Sequence, residues 1–185
     1  MSLASYVLMG ITALPTFHED VGDRYSEQKR IQAETIATAI AEVAEKAQGW
    51  PGTPRELASL LLTVAWHETR LSLRIHEGNC RPFECDHGRA RGLWQLHMHA
   101  SLPRERWLTV AGLDPDSTRA AAQEAARALI RSRRMCMSVS RGADWVPYTL
   151  VAFAGRGCRG QLPDIQRRVR TFHHLVAIEP KKNGS

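Results

Sequence analysis

Apolar residues recur at helical spacing along much of the chain, and no stretch shows the strict alternation of a half-buried strand. The stretches that predict helices are residues 27–48, 53–70, 114–137 and 163–178. Residues 76–92 contain several glycines and read as a loop that could hide short extended segments. This order of elements predicts one mainly α-helical domain.

The helix over 53–70 has the clearest start signal in the chain. Thr53 can cap it, Pro54 suits its first position, and Glu56 completes a capping box. The apolar stripe that follows indicates a buried helix that ends near Arg70.

Glu68 is the first candidate for chemistry, because it falls on the same stripe as Leu57, Leu61 and Val64. Burial disfavours the charged form of a carboxyl and raises its pKa. A carboxylic acid that stays protonated near neutral pH is suited to general-acid catalysis. The plainer interpretation is a glutamate that turns to solvent or pairs with a nearby arginine.

Composition and charge narrow the possible partners. Of 185 residues, 43% are hydrophobic and 24% charged, which excludes a disordered, collagen-like or polytopic membrane chain. Lysine and arginine outnumber acids by 25 to 19, and the net charge of +6 suggests an anionic partner. Nucleic acid is not expected, since neither a helix-turn-helix nor aromatic interleaving is evident.

The first 15 residues are uncharged and mostly apolar. They resemble the apolar part of a secretion signal, but no lysine or arginine precedes them. A cleaved signal and a buried N-terminal segment both remain open. The run is too short to span a bilayer, so no transmembrane segment is expected.

Four cysteines allow several pairings. A local Cys80–Cys85 bridge is feasible, which leaves Cys136–Cys158 as the second and implies an oxidising destination. Free thiols are an alternative. A further alternative is a zinc site with the ligands His76, Cys80, Cys85 and His87.

Residues 55–100 carry a family resemblance, and residues 148–158 a weaker one. A glutamate ends a helix in AWHETR, and the segment GRARGLWQ follows over residues 88–95. This arrangement resembles the lysozyme-like superfamily, in particular soluble lytic transglycosylases and goose-type lysozymes. In the family motif, methionine is usual where this chain has Trp94, and His97 replaces an acid that goose-type lysozymes have after the glutamine.

The resemblance implies a lysozyme-like single domain with a small irregular or β-containing region near the active site. Residues 53–178 would form the catalytic domain. Residues 1–52 would provide an N-terminal segment and a helix that pack on it, and residues 179–185 a frayed tail. Neither a metal nor an organic cofactor is needed for the implied chemistry.

The implied substrate is the β-1,4 bond between N-acetylmuramic acid and N-acetylglucosamine in peptidoglycan glycan strands. Glu68 would be the general acid and base of a lytic transglycosylase, and Asp86 the second acid of a hydrolytic enzyme. The residues that would bind the saccharide are Gly92, Leu93, Trp94, Gln95 and Phe153.

Two other outcomes stay open: hydrolysis of the goose type, and a lysozyme-like module that binds peptidoglycan or serves as a structural part without turnover. The expected location is periplasmic, extracellular or virion-associated. The chain could belong to a larger envelope-spanning or virion assembly.

Overall fold

The computed structural model describes residues 1–14, 28–81, 83–141 and 144–179. In this part of the chain the long helices are α1 (Leu3–Ala13), α2 (Gln28–Lys46), α3 (Pro54–Thr69), α7 (Pro115–Cys136), α8 (Trp145–Phe153) and α9 (Ile165–Val176). The short elements are α4 (Leu73–His76), α5 (Cys85–Gly88), β1 (Ala90–Arg91), β2 (Leu96–His97) and α6 (Arg104–Leu108). The prediction of a mainly α-helical fold is confirmed.

Helix α3 lies at the centre of the fold. The capping box is present: the Thr53 hydroxyl accepts from the Glu56 amide, and the Glu56 carboxylate accepts from the Thr53 amide. Residues 57–66 are buried without a break, since α1, α2, α7 and α9 surround the helix. Glu68 follows this run, so burial of α3 brings its carboxylate to the edge of the core.

Helix α1 belongs to the same core as the helices that follow it. Tyr6, Val7 and Ile11 are buried, and the Tyr6 hydroxyl donates to the Leu175 carbonyl oxygen at 2.7 Å. The N-terminal segment is therefore buried, as one of the two interpretations expects, whereas Pro15 lies outside the described residues. None of the described helices is long and apolar enough to cross a membrane.

The remaining elements were less visible in the sequence. Helix α8 was not predicted, because it is apolar on every side and has no helical period. Strands β1 and β2 pair antiparallel, with Ala90 opposite His97, and form the expected β-containing region. The helix predicted over 163–178 is α9, and residues 180–185 of the expected tail lie outside the described residues.

Both predicted disulfides are present and hold loops at the surface of the helical core. Cys80 is joined to Cys85, and Cys136 to Cys158. The zinc interpretation and the free-thiol interpretation are therefore wrong. The first bridge closes the loop before α5, and the second ties the segment after α8 to the end of α7.

Candidate functional site

One open cleft of about 550 Å³ contains Glu68 and most of the other predicted site residues. The lining comes from the end of α3, from α5, from the β-hairpin and the segment after it, from α7, from α8 with the loop after it, and from α9. The lining residues that carry functional groups or aromatic rings are Glu68, Asp86, Trp94, Gln95, His97, His99, Phe153, Arg156 and Arg168. The volume lies within the range of sites for small ligands.

Glu68 lies one residue before the C-terminus of α3. The helix ends at Arg70, which adopts a left-handed conformation with φ of 56° while its amide donates to the Trp66 carbonyl oxygen. The Glu68 side chain is 23% exposed, so the carboxylate is partly desolvated yet reachable from the cleft. The predicted position of a carboxyl at the edge of the core is confirmed.

Arg168 of α9 is the direct partner of Glu68. Its Nη1 donates to Glu68 Oε1 at 2.5 Å, and its Nε donates to both carboxylate oxygens of Asp164 at 3.0 Å. The guanidinium is almost fully buried and bridges the two acids. The sequence left open a protonated carboxyl, a carboxylate turned to solvent, or one paired with a nearby arginine. The structure shows an ion pair, but its arginine belongs to α9 and not to the residues that follow Glu68.

His67 completes this network behind the cleft. Its Nδ1 lies 3.4 Å from Asp164 Oδ2, and its Nε2 lies 3.0 Å from the Thr171 hydroxyl. Burial, reinforced by the positive charge of Arg168, lowers the pKa of His67 to about 4, and Asp164 opposes this shift. His67 is therefore neutral at physiological pH and orients Asp164 as a hydrogen-bonding group, not as a cation.

Asp86 stands in a turn of unusual backbone geometry. Cys85, Asp86, His87 and Gly88 all have positive φ, between 46° and 81°. This left-handed region costs about 1–2 kcal/mol for each residue other than glycine. The conformation therefore depends on the surrounding structure to hold it.

Two constraints hold the segment before Asp86. The Cys80–Cys85 disulfide closes it, and Arg74 donates to both carboxylate oxygens of Glu84 at 2.8 Å. Asp86 is 46% exposed within the cleft lining. The strained turn therefore places a second, half-exposed carboxylate in the lining of the cleft that contains Glu68.

Gln95 projects from the β-hairpin into the cleft. It too has a positive φ, of 47°, and its Nε2 donates to the Gly92 carbonyl oxygen at 3.0 Å. The same nitrogen lies 3.5 Å from Cys85 Sγ. Because these contacts occupy the amide nitrogen, the amide carbonyl oxygen is the group left to accept from a ligand.

The other residues of the motif, Gly92, Leu93 and Trp94, are buried and pack against the core beside the cleft. Gly92 is buried with φ of 68°, and a Cβ there would lie 2.2 Å from the Val110 carbonyl oxygen. Leu93 and Trp94 are completely buried, and the Trp94 indole donates to the Leu61 carbonyl oxygen at 2.9 Å. Gly92 and Leu93 do not line the cleft and have a packing role, whereas Trp94 lines it with a fully buried ring that anchors the motif to the middle of α3.

Phe153 ends α8 and contributes a partly buried ring to the cleft. His97 approaches Asp86, with 3.9 Å between Nδ1 and Oδ2.

Arg168, Asp164 and Arg156 were missed by sequence analysis. The four-residue spacing of Asp164 and Arg168 was the available signal of a helical ion pair.

These features define a mainly α-helical, disulfide-bonded protein with an open cleft that contains two acids and a buried arginine. No family model matches the chain, and no curated protein or solved structure matches it either.

Proposed function

We propose that this protein is a peptidoglycan-cleaving muramidase, most simply a lytic transglycosylase that acts on the bond between N-acetylmuramic acid and N-acetylglucosamine. The observation that carries the proposal is the convergence of Glu68, Asp86, Gln95 and Phe153 on one open cleft. The resemblance to lysozyme-like enzymes named Glu68, Asp86 and Gln95 within residues 55–100, and Phe153 in the separate segment 148–158. Their proximity supports, independently of the motif, a shared site.

In the lytic reaction Glu68 acts twice. As an acid it gives its proton to the glycosidic oxygen, the C1–O bond breaks, and the N-acetylglucosamine part leaves as an alcohol. As a carboxylate it then takes the proton of the muramic C6 hydroxyl while O6 bonds to C1, which closes a 1,6-anhydro ring. The acid is regenerated and no water is consumed.

Arg168 supports the second half of this cycle and opposes the first. A guanidinium bonded to Glu68 stabilises the carboxylate that remains after proton transfer. Protonation of Glu68 removes the charge that holds this bond, and Asp164 then keeps Arg168 in place through its own two hydrogen bonds. In the proposal, Asp164 holds the arginine beside Glu68 throughout the cycle.

Two alternatives each have a supporting observation. Hydrolysis needs a second carboxylate to activate water, and Asp86 is half-exposed in the same cleft. A module that binds glycan without turnover is favoured by the Glu68–Arg168 ion pair, because the guanidinium occupies one of the two carboxyl oxygens that would have to meet the glycosidic oxygen.

The test is mass spectrometry of soluble fragments released from purified peptidoglycan by the wild type, Glu68→Gln and Asp86→Asn. Products with 1,6-anhydromuramic ends, lost in Glu68→Gln and retained in Asp86→Asn, are the expected result. Reducing muramic ends that disappear in both variants would establish hydrolysis instead.

The control variant is Glu34→Gln, which removes an exposed carboxylate of α2 far from the cleft lining. It should release fragments at the wild-type rate. A folded wild-type protein that sediments with peptidoglycan and releases nothing would contradict the enzyme proposal and leave the binding module.

A further inference from the structure

A second hollow, of about 680 Å³, lies next to the cleft. The two hollows share Arg156 and Leu162, so these residues form the boundary between them. The second hollow is otherwise formed by the segment that leads into α9: Gly160, Gln161, Pro163 and Ile165. The second hollow is therefore adjacent to the cleft that contains Glu68, on the side of Arg156.

The backbone around Arg156 is tightly constrained. Gly155 and Gly157 both have positive φ, of 73° and 67°. A Cβ at Gly160 would lie 2.1 Å from the Arg156 carbonyl oxygen, so only glycine allows this approach. Cys158 is joined to the fully buried Cys136. The disulfide and the close approach at Gly160 thus fix the position of the Arg156 backbone at the boundary of the two hollows.

The charge of Arg156 is available to a ligand. Arg168, the other arginine of the cleft lining, is neutralised by Glu68 and Asp164. Arg156 is exposed, and within the part of the chain that the structure describes its side chain forms no ion pair. The cleft therefore has a guanidinium at its exit that lacks an acidic partner among these residues.

We propose that Arg156 is a specificity-determining residue that binds a carboxylate of the stem peptide borne by muramic acid. This inference rests on the proposed function, because it places the glycan bond at Glu68 and the peptide in the second hollow. A guanidinium matches a carboxylate through two parallel hydrogen bonds, and a hollow of this size admits a short peptide. The enzyme would then prefer glycan with charged stems.

The experiment compares glycan fragments of defined length whose stem peptides end either in carboxylates or in the corresponding amides. Release rates are measured for the wild type, Arg156→Gln, Arg156→Lys and Arg159→Gln. Arg159 is the matched control, since it is exposed on the same loop and lines neither hollow.

Amidation of the stem-peptide carboxylate should lower the rate of fragment release by the wild type by about 10-fold. This factor corresponds to the loss of one charge-assisted hydrogen bond. Arg156→Gln should cleave the carboxylate substrate about 10-fold more slowly than the wild type and should not distinguish the two substrates. Arg156→Lys should recover part of the preference, and Arg159→Gln should behave as the wild type.

Equal sensitivity to amidation in the wild type and Arg156→Gln would overturn the assignment of Arg156, even though the enzyme works. Failure of the wild type to cleave either substrate would instead contradict the proposed function. The two failures are therefore distinguishable.

Discussion

Arg168 and Glu68 are 100 residues apart in the chain, yet the guanidinium of one donates to the carboxylate of the other at 2.5 Å. The same guanidinium binds Asp164 through Nε. Its side chain is 9% exposed, so water replaces these bonds poorly. The contact joins the ends of α3 and α9 at the cleft.

Replacement of Arg168 by methionine should lower the free energy of unfolding by about 2–4 kcal/mol, because two carboxylates lose their shared, poorly solvated cation. The loss of unfolding free energy for Arg168→Lys should be smaller than that for Arg168→Met but still measurable. A lysine ammonium keeps the charge but cannot reproduce the directed hydrogen bonds of the planar guanidinium to both acids. Urea denaturation measures both. Arg167→Met, an exposed neighbour on α9, should stay within about 0.5 kcal/mol of the wild type. Equal effects at positions 167 and 168 would show that the pair contributes nothing.

Substitution of Gly92 by alanine should destabilise the protein by about 2–4 kcal/mol, because the new Cβ would meet the Val110 carbonyl oxygen at 2.2 Å. Gly88→Ala is the matched control: its φ is also positive, at 81°, but a Cβ there has nothing within 4 Å. Backbone strain alone should cost about 1 kcal/mol. Calorimetric melting of both variants tests this, and similar losses would mean that the close approach at Gly92 is relieved.

Removal of each disulfide should show that a bridge with a small effect on stability can have a large effect on the geometry of the site. Chain entropy gives about 2 kcal/mol for the Cys80–Cys85 loop, with a sequence separation of 5, and about 3 kcal/mol for Cys136–Cys158, with a separation of 22. The Cys80→Ser/Cys85→Ser variant should nevertheless lose about 10-fold or more of fragment release, because Asp86 and Gln95 adjoin Cys85. Melting temperatures and release rates check this. Full activity in that variant would contradict the assigned role of the bridge.

Acid should destabilise the fold through His76. Its ring is fully buried with Nε2 2.9 Å from the Thr118 hydroxyl, and burial lowers its pKa from 6.5 to about 4. Between these values the unfolded chain binds more protons than the folded protein, so stability falls as the pH is lowered through this window. The slope is up to about 1.4 kcal/mol per pH unit.

Urea denaturation at several pH values between 4 and 7 measures this slope. His76→Gln should reduce the slope by up to about 1.4 kcal/mol per pH unit and leave the part due to His67, whereas replacement of the exposed His174 by glutamine should leave the slope unchanged. An unaltered slope in His76→Gln would assign the acid sensitivity to other groups, of which His67 is the first candidate.

Helix α3 was predictable from local sequence signals, because the cap at Thr53 and the apolar stripe that ends at Glu68 both lie within the same short segment. The partner of Glu68 was not, because a helical period shows which residues of α9 face inward but not which element they meet. Trp94 illustrates a different limit. The motif suggested a saccharide contact, but a bond to the Leu61 carbonyl oxygen, 33 residues away, places the ring in the core.

The bond from Tyr6 to Leu175 spans 169 residues and has a consequence for biosynthesis. At roughly 5–20 residues per second, the ribosome adds Leu175 about 8–34 s after Tyr6. During that interval α1 has no α9 to receive its buried tyrosine. The native packing of α1 is therefore complete only after α9 has been synthesised, and until then the Tyr6 hydroxyl lacks this acceptor.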